Sequence, residues 1–239
     1  MKLLISQDII KNFPEMRIAI IIADHLRISK TNQDLQDLKL KTELEAKKKL
    51  SLEALTRHPH IIAWREAYRQ FGVSAKKHPP SVESLLRRVL KGYSLPTINT
   101  LVDSYLLVEL EYIIPFGGYD ISRIVGDIYL EYAKGGESFT PLGLPEHKEQ
   151  ILPGEIVYRD FEKILTRRWN YKDCDEAKIT LQTTQAILFA EAPDNRVSTT
   201  ILEKASERLS ELIKKYNEGK VKCFLFEPKK KPIFNLYFP

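Results

Sequence analysis

An α+β fold follows from three observations: helical patterns gather in the first half of the chain, strand patterns gather in the second, and no internal repeat, low-complexity tract or linker divides them. The elements run in order as follows. MRIAIIIA, residues 16–23, is a β-branched apolar run that predicts a buried strand. From Thr31 to Arg57, Leu35, Leu38, Leu44, Leu52 and Leu55 punctuate Lys and Glu at helical intervals, which predicts one amphipathic helix with the Lys47-Lys48-Lys49 run on its solvated face. A second helix spans Ile61 to Phe71, carries Trp64 and Tyr68, and is closed by Gly72. Ser81 caps a third, SVESLLRRVLKG, whose Arg87, Arg88 and Lys91 lie on a solvated face. The fourth, from about Thr97 to Glu111, opens at Pro96 and places Asn99 and Asp103 on one face, with Leu106 continuing the stripe.

The helix runs into PFGGYD, where Gly117 and Gly118 predict a turn whose backbone approaches a ligand without Cβ obstruction. IYLEYA, EIVYRD, KILTRR, AILFAEA and KCFLFEP predict strands, and Thr199 to Tyr216 an amphipathic helix. Residues 1–57 form an N-terminal strand and charged helix expected to pack on a main domain of residues 58–239.

Composition narrows the function classes. A hydrophobic content of 43% over 239 residues supports a full core, and 37 basic against 32 acidic residues leaves a net charge of +5, which permits nucleic-acid binding without demanding it. Cys174 and Cys223 stand alone, so a disulfide scaffold and a cysteine zinc site are not expected. The start MKLLISQDIIKNFP breaks its apolar run early, and the expectation is a soluble, cytoplasmic protein with no membrane segment. His58-Pro59-His60 is the only close histidine pair and lacks further ligands, so neither a metal nor another cofactor is expected. No phosphate-binding glycine loop, dinucleotide fingerprint or serine nucleophile elbow occurs.

The densest polar chemistry lies in RRWN, residues 167–170: Arg167 and Arg168 offer planar donors to phosphate or carboxylate, Trp169 a stacking face, and Asn170 an amide. Half-exposed packing is the alternative for these side chains. Strand alternation puts Ile187, Phe189 and Glu191 on one face, so that a carboxylate sits at the rim of an apolar pocket, where desolvation raises its pKa towards that of a useful base. The alternative for Glu191 is an ion pair with one of the arginines.

WREAYRQFGV, SVESLLRRVLKG, LPTINTLVD, IPFGGYD, GEIVYRD, RRWNYKD and TTQAILFAEA together resemble freestanding relatives of the B3/B4 domain, the editing domain of the phenylalanyl-tRNA synthetase beta subunit, over roughly residues 60–217. The resemblance implies a trans-editing hydrolase that deacylates mischarged aminoacyl-tRNA with a positioned water. It places Glu191 on the substrate or its water, Gly117 and Gly118 at the backbone donors, and Asn99, Asp103, Leu106, Trp169 and Asn170 around the amino acid. Arg167 and Arg168 are then the candidates for the tRNA end. The family's Pro-x-His is replaced by the Gly117-Gly118 segment, and its VDxxN asparagine by Leu106. These departures keep a non-catalytic tRNA- or amino-acid-binding module open as the alternative. A further partner, possible for residues 31–57, is a synthetase.

Overall fold

The computed structural model describes residues 1–237. Its elements are β1 (Lys2–Ile5), α1 (Gln7–Asn12), β2 (Arg17–Asp24), α2 (Gln33–Lys49), α3 (Leu52–Arg57), α4 (Pro59–Gln70), α5 (Ser81–Leu90), α6 (Thr100–Tyr112), β3 (Phe116–Asp120), β4 (Ile128–Tyr132), β5 (Ser138–Phe139), β6 (Glu149–Gln150), β7 (Ile156–Arg159), β8 (Ile164–Arg167), β9 (Lys172–Asp173), β10 (Ala186–Ala192), α7 (Thr199–Asn217), β11 (Lys220–Phe226) and β12 (Ile233–Asn235). The fold is α+β, with most helices ahead of most strands.

Two sheets carry the architecture. One has the order β12-β1-β4-β7-β8-β9, the other β11-β2-β10-β3, and only the β1–β4 pair is parallel. Alternation sorts the central strands of the second sheet into two cores. Ile18, Ile20 and Ile22 of β2 join Ile187 and Phe189 of β10 against the first sheet, while Ala19, Ile21, Ala23 and Leu188 face α6 and α7. Both faces of β2 and β10 are therefore covered, which is why their sequences are continuous apolar runs. A third cluster, Leu55, Ile61, Val82, Leu86, Val89 and Leu110, joins the N-terminal helices to α6.

Several expectations are corrected. The single helix expected from Thr31 to Arg57 is two, because Ser51 caps α3 through its hydroxyl and the chain is extended at Leu50. Leu44 consequently faces solvent, whereas Leu35 and Leu55 are buried. Pro80 occupies the cap position of α5, and Ser81 spends its hydroxyl elsewhere. PFGGYD is the strand β3 and not a turn. A Cβ on Gly118 would collide with the Leu188 side chain and approach Ile187 O to 2.8 Å, so glycine here permits close strand packing. β1 and β2 are both hydrogen-bonded within sheets built largely from residues after 58, and a buried Lys39–Asp103 pair at 3.0 Å ties α2 to α6. No helix of the described residues is long and apolar enough to cross a membrane.

Candidate active site

A cavity of 220 Å³ opens between the two sheets under α6. β10 contributes Phe189 and Glu191, β7 Tyr158, β8 Thr166, and β9 Lys172 and Asp173. Helical spacing puts Tyr105, Leu106 and Glu109 of α6 on the same wall, and β3 adds Phe116, Gly117 and Tyr119. Tyr105, Tyr119, Leu142 and Asp173 also border a second, mostly apolar cavity of 270 Å³.

Glu191 is the best-supported group in the cavity. Its Oε1 accepts from the Tyr158 hydroxyl and from Trp169 Nε1 at 2.8 Å, and its Oε2 accepts from Asn170 Nδ2 at 3.3 Å. Asn170 is oriented in turn by Tyr68, whose hydroxyl donates to Oδ1 at 2.9 Å. Glu191 is thus buried at 3% exposure and not at the pocket rim, and its partners are these three donors rather than an arginine. Burial pushes its carboxyl up to about 7 against the opposing pull of the donors.

Arg168 and Trp169 hold the turn that presents these donors. Both adopt left-handed backbone, with φ of 50° and 65°, a conformation costing on the order of 1–2 kcal/mol per non-glycine residue. The indole offsets that cost: it is 1% exposed, with ring centroids 4.8 Å from Phe13 and 5.1 Å from Trp64 in edge-on geometry. Trp169 therefore offers an N–H to Glu191 and not the open stacking face expected from RRWN.

Two more carboxyls share the cavity, and neither was singled out from the sequence. Glu109 accepts from Ser81 Oγ at 2.7 Å, and burial pushes its carboxyl up to about 8. Asp173 accepts from Thr166 Oγ1 at 2.5 Å, in a chain continued by the Tyr119 hydroxyl, and burial pushes it up to about 6. The available signal for Glu109 was a glutamate inside the apolar helix LVDSYLLVEL; for Asp173 it was adjacency to RRWN.

The remaining expected site residues lie elsewhere or point differently. Asn99 is the N-cap of α6, accepting from the Val102 N–H at 2.9 Å and donating to Ile179 O at 3.3 Å. Asp103 pairs with Lys39 and accepts from Gln36 Nε2 at 2.8 Å and the Ile98 N–H at 2.9 Å. Neither borders the cavity; only Leu106 of that stripe does. Arg167 and Arg168 both turn to a carboxylate of the same chain, Glu155. Arg167 grips Glu155 at 2.6 and 3.1 Å and also pairs with Glu149, while Arg168 reaches Glu155 at 3.2 Å. In β3 the Asp120 N–H goes to Ala177 O, so alternation turns the Gly117 N–H into the β10 ladder and the Gly118 N–H to the open edge. His58 caps α4 by accepting from the His60 N–H at 3.3 Å, and His60 Nδ1 lies 3.1 Å from Ile113 O. Among the described residues no group of three or more His, Cys, Asp or Glu is arranged to hold a metal ion.

The family model of the B3/4 domain matches residues 63–218, which contain every cavity-lining side chain described above. The chain belongs to the B3/4 domain family. Among solved structures it is similar to an N-terminal fragment of the phenylalanyl-tRNA synthetase beta subunit from Pyrococcus horikoshii, with 12% identity and a TM-score of 0.42 over 92% of this chain and 49% of that one. The chain thus spans about half the length of that fragment. No curated protein matches it. Glu191, Trp169 and Asn170 of this B3/4 domain line one cavity.

The raised carboxyls link this cavity to stability. Between the ordinary glutamate pKa and about 8 the folded B3/4 domain holds a proton on Glu109 that the unfolded chain releases, so stability is highest at low pH and falls as pH rises through this window. The loss expected between pH 5 and pH 8 is on the order of 2–4 kcal/mol. Glu109→Gln keeps the volume without the charge. It should raise the melting temperature at pH 8 by roughly 5 °C or more and leave it nearly unchanged at pH 5. Thermal melts of both proteins across that range check this.

Proposed function

We propose that the cavity hydrolyses the ester of a mischarged aminoacyl-tRNA, with Glu191 acting on the attacking water. The observation that carries this reading is a buried carboxyl fixed by three donors, with its pKa near neutrality, in a cavity sized for an amino acid. Ionised Glu191 takes a proton from water as the oxygen attacks the ester carbonyl, and it returns that proton to the leaving ribose oxygen as the tetrahedral intermediate collapses to free amino acid and the terminal ribose hydroxyl. The ester is already activated, so positioning and a donor for the developing oxyanion suffice without a protein nucleophile. The edge-facing Gly118 N–H, which borders the adjoining cavity, is the backbone donor proposed for that oxyanion. The adjoining apolar cavity is proposed to take the terminal nucleobase. Incubation of the protein with a panel of correctly and wrongly charged tRNAs tests the reading: selective release of one misattached amino acid supports it, and no release from any member rejects it.

A non-catalytic module that holds aminoacyl-tRNA or an amino acid is the second reading. It is favoured by Leu106 in the cavity wall and by a Gly117 N–H committed to the ladder, which together leave fewer polar groups to act on the ester. Binding without turnover in the same panel would select it.

With Arg167 and Arg168 occupied internally, tRNA phosphates need another surface. A groove of 980 Å³ between α4 and α5 is lined by Arg65, Arg69, Lys76 and Arg87 with Glu83 as its only acid. Buried Glu83 holds Arg65 at 2.5 and 2.8 Å and Arg87 at 2.7 Å, while Arg69 and Lys76 are exposed. The segment after the groove leads to Ser81, whose hydroxyl reaches Glu109 in the cavity. Arg69→Glu with Lys76→Glu should weaken tRNA binding about 10-fold or more at low salt and flatten the salt dependence, since each lost phosphate contact lowers the logarithmic salt slope by about 1. Binding titrations at several salt concentrations check this; an unchanged slope removes the groove from the tRNA path.

A further inference from the structure

Several of the chain's buried carboxylates are neutralised by cations. Asp103 has Lys39, Glu83 has Arg65 and Arg87, and Glu155 has Arg167 and Arg168. Glu109, Asp173 and Glu191, like the buried Glu43 and Asp120, make no ion pair among the described residues, and these three line one cavity of 220 Å³. Neutral hydroxyl, indole and amide donors are their partners. Ionising three carboxyls without a cation in so small a space is costly, so each is met by a proton or by a cation that enters. The other walls are largely aromatic, with Tyr105, Phe116, Tyr119, Tyr158, Trp169 and Phe189, side chains whose ring faces attract cations, and the lysine on the lining, Lys172, pairs with Glu149 at 3.8 Å.

An α-ammonium group supplies one positive charge, and Glu191 is committed to water in the reaction proposed above. Glu109 and Asp173 remain. They flank the start of β3: Glu109 lines the cavity together with Phe116, and a Cβ on Gly117 would lie 3.7 Å from Asp173 Oδ2. Glu109 and Asp173 each accept one side-chain hydrogen bond, fewer than a carboxylate's capacity of about four. We propose that the aminoacyl group accepted here is dicationic, carrying a basic side chain of lysine or ornithine type whose charge, with that of the α-ammonium, is met by Glu109 and Asp173. This rests on the reading of the cavity as an aminoacyl site and names its substrate class. Glycine at 117 fits it, because any larger side chain there would fill the space beside Asp173.

Calorimetric titration of the whole protein with L-lysinamide, L-ornithinamide, L-norleucinamide and L-tyrosinamide at pH 7 tests the proposal, since all four carry the α-amine and differ in side-chain charge. The expected result is at least 10-fold tighter binding of lysinamide or ornithinamide than of norleucinamide. That advantage should vanish in the Glu109→Gln, Asp173→Asn double variant, whose melting temperature at pH 8 should equal or exceed that of the wild type. Norleucinamide or tyrosinamide binding as tightly as the basic amides would overturn the dicationic substrate while leaving the aminoacyl site intact. Failure of all four to bind would overturn both.

Discussion

Arg167→Met should destabilise the protein by about 3 kcal/mol, lowering its melting temperature by roughly 6–12 °C. The guanidinium is 3% exposed and clamped between Glu155 and Glu149, so its removal strands a buried carboxylate whose remaining cation is Arg168 at 3.2 Å. Methionine replaces the volume but not the charge, which isolates the electrostatic loss. Glu155→Gln in the Arg167→Met background should recover part of the stability, because the uncompensated charge is then gone. Affinity for tRNA per folded molecule should be unchanged. A variant that melts like the wild type yet binds tRNA more weakly would return Arg167 to the RNA surface.

The same residue shows where sequence reasoning stops. An arginine pair beside a tryptophan is chemically suited to phosphate, and nothing in RRWN tells whether its partner is a nucleic acid or a carboxylate of the same chain. Glu149 and Glu155, which decide the matter, lie in a stretch without periodicity; Glu155 is brought to Arg167 by the pairing of β7 with β8, and Glu149 reaches it from β6. Asn99 and Asp103 failed as cavity residues for a related reason. Their i, i+4 spacing was correct, but Asn99 begins the helix and Asp103 meets Lys39 from a segment more than sixty residues earlier. Glu191 was legible because strand alternation needs no tertiary knowledge: it faces the same core as Ile187 and Phe189. The long strands β2, β10 and β11 were legible from their apolar runs. β1 and β12 were not, since each is short and the Lys2–Asn235 register joins the ends of the described chain. Glu109 escaped notice because an isolated glutamate beside Glu111 resembles a solvated helix edge, and only the position of β3 buries it.

Glu191→Gln should reduce deacylation about 10²-fold or more, the scale of losing a positioned general base. Glutamine keeps the shape and can accept from Trp169 and Tyr158, so the fold should persist, and uncharged tRNA should bind as it does to the wild type. For the wild-type protein the rate should rise with pH through about 7, as Glu191 ionises, and the variant should lose that limb of the profile. A purely packing role predicts the reverse, with altered melting and an unaltered rate per folded molecule. Single-turnover hydrolysis of the best aminoacyl-tRNA from the panel, followed across pH 5.5–8.5 beside melting curves for both proteins, is the most direct measurement. The account predicts a folded variant about 10²-fold slower and without the inflection near pH 7; a folded variant with wild-type rate and an unchanged profile would contradict it.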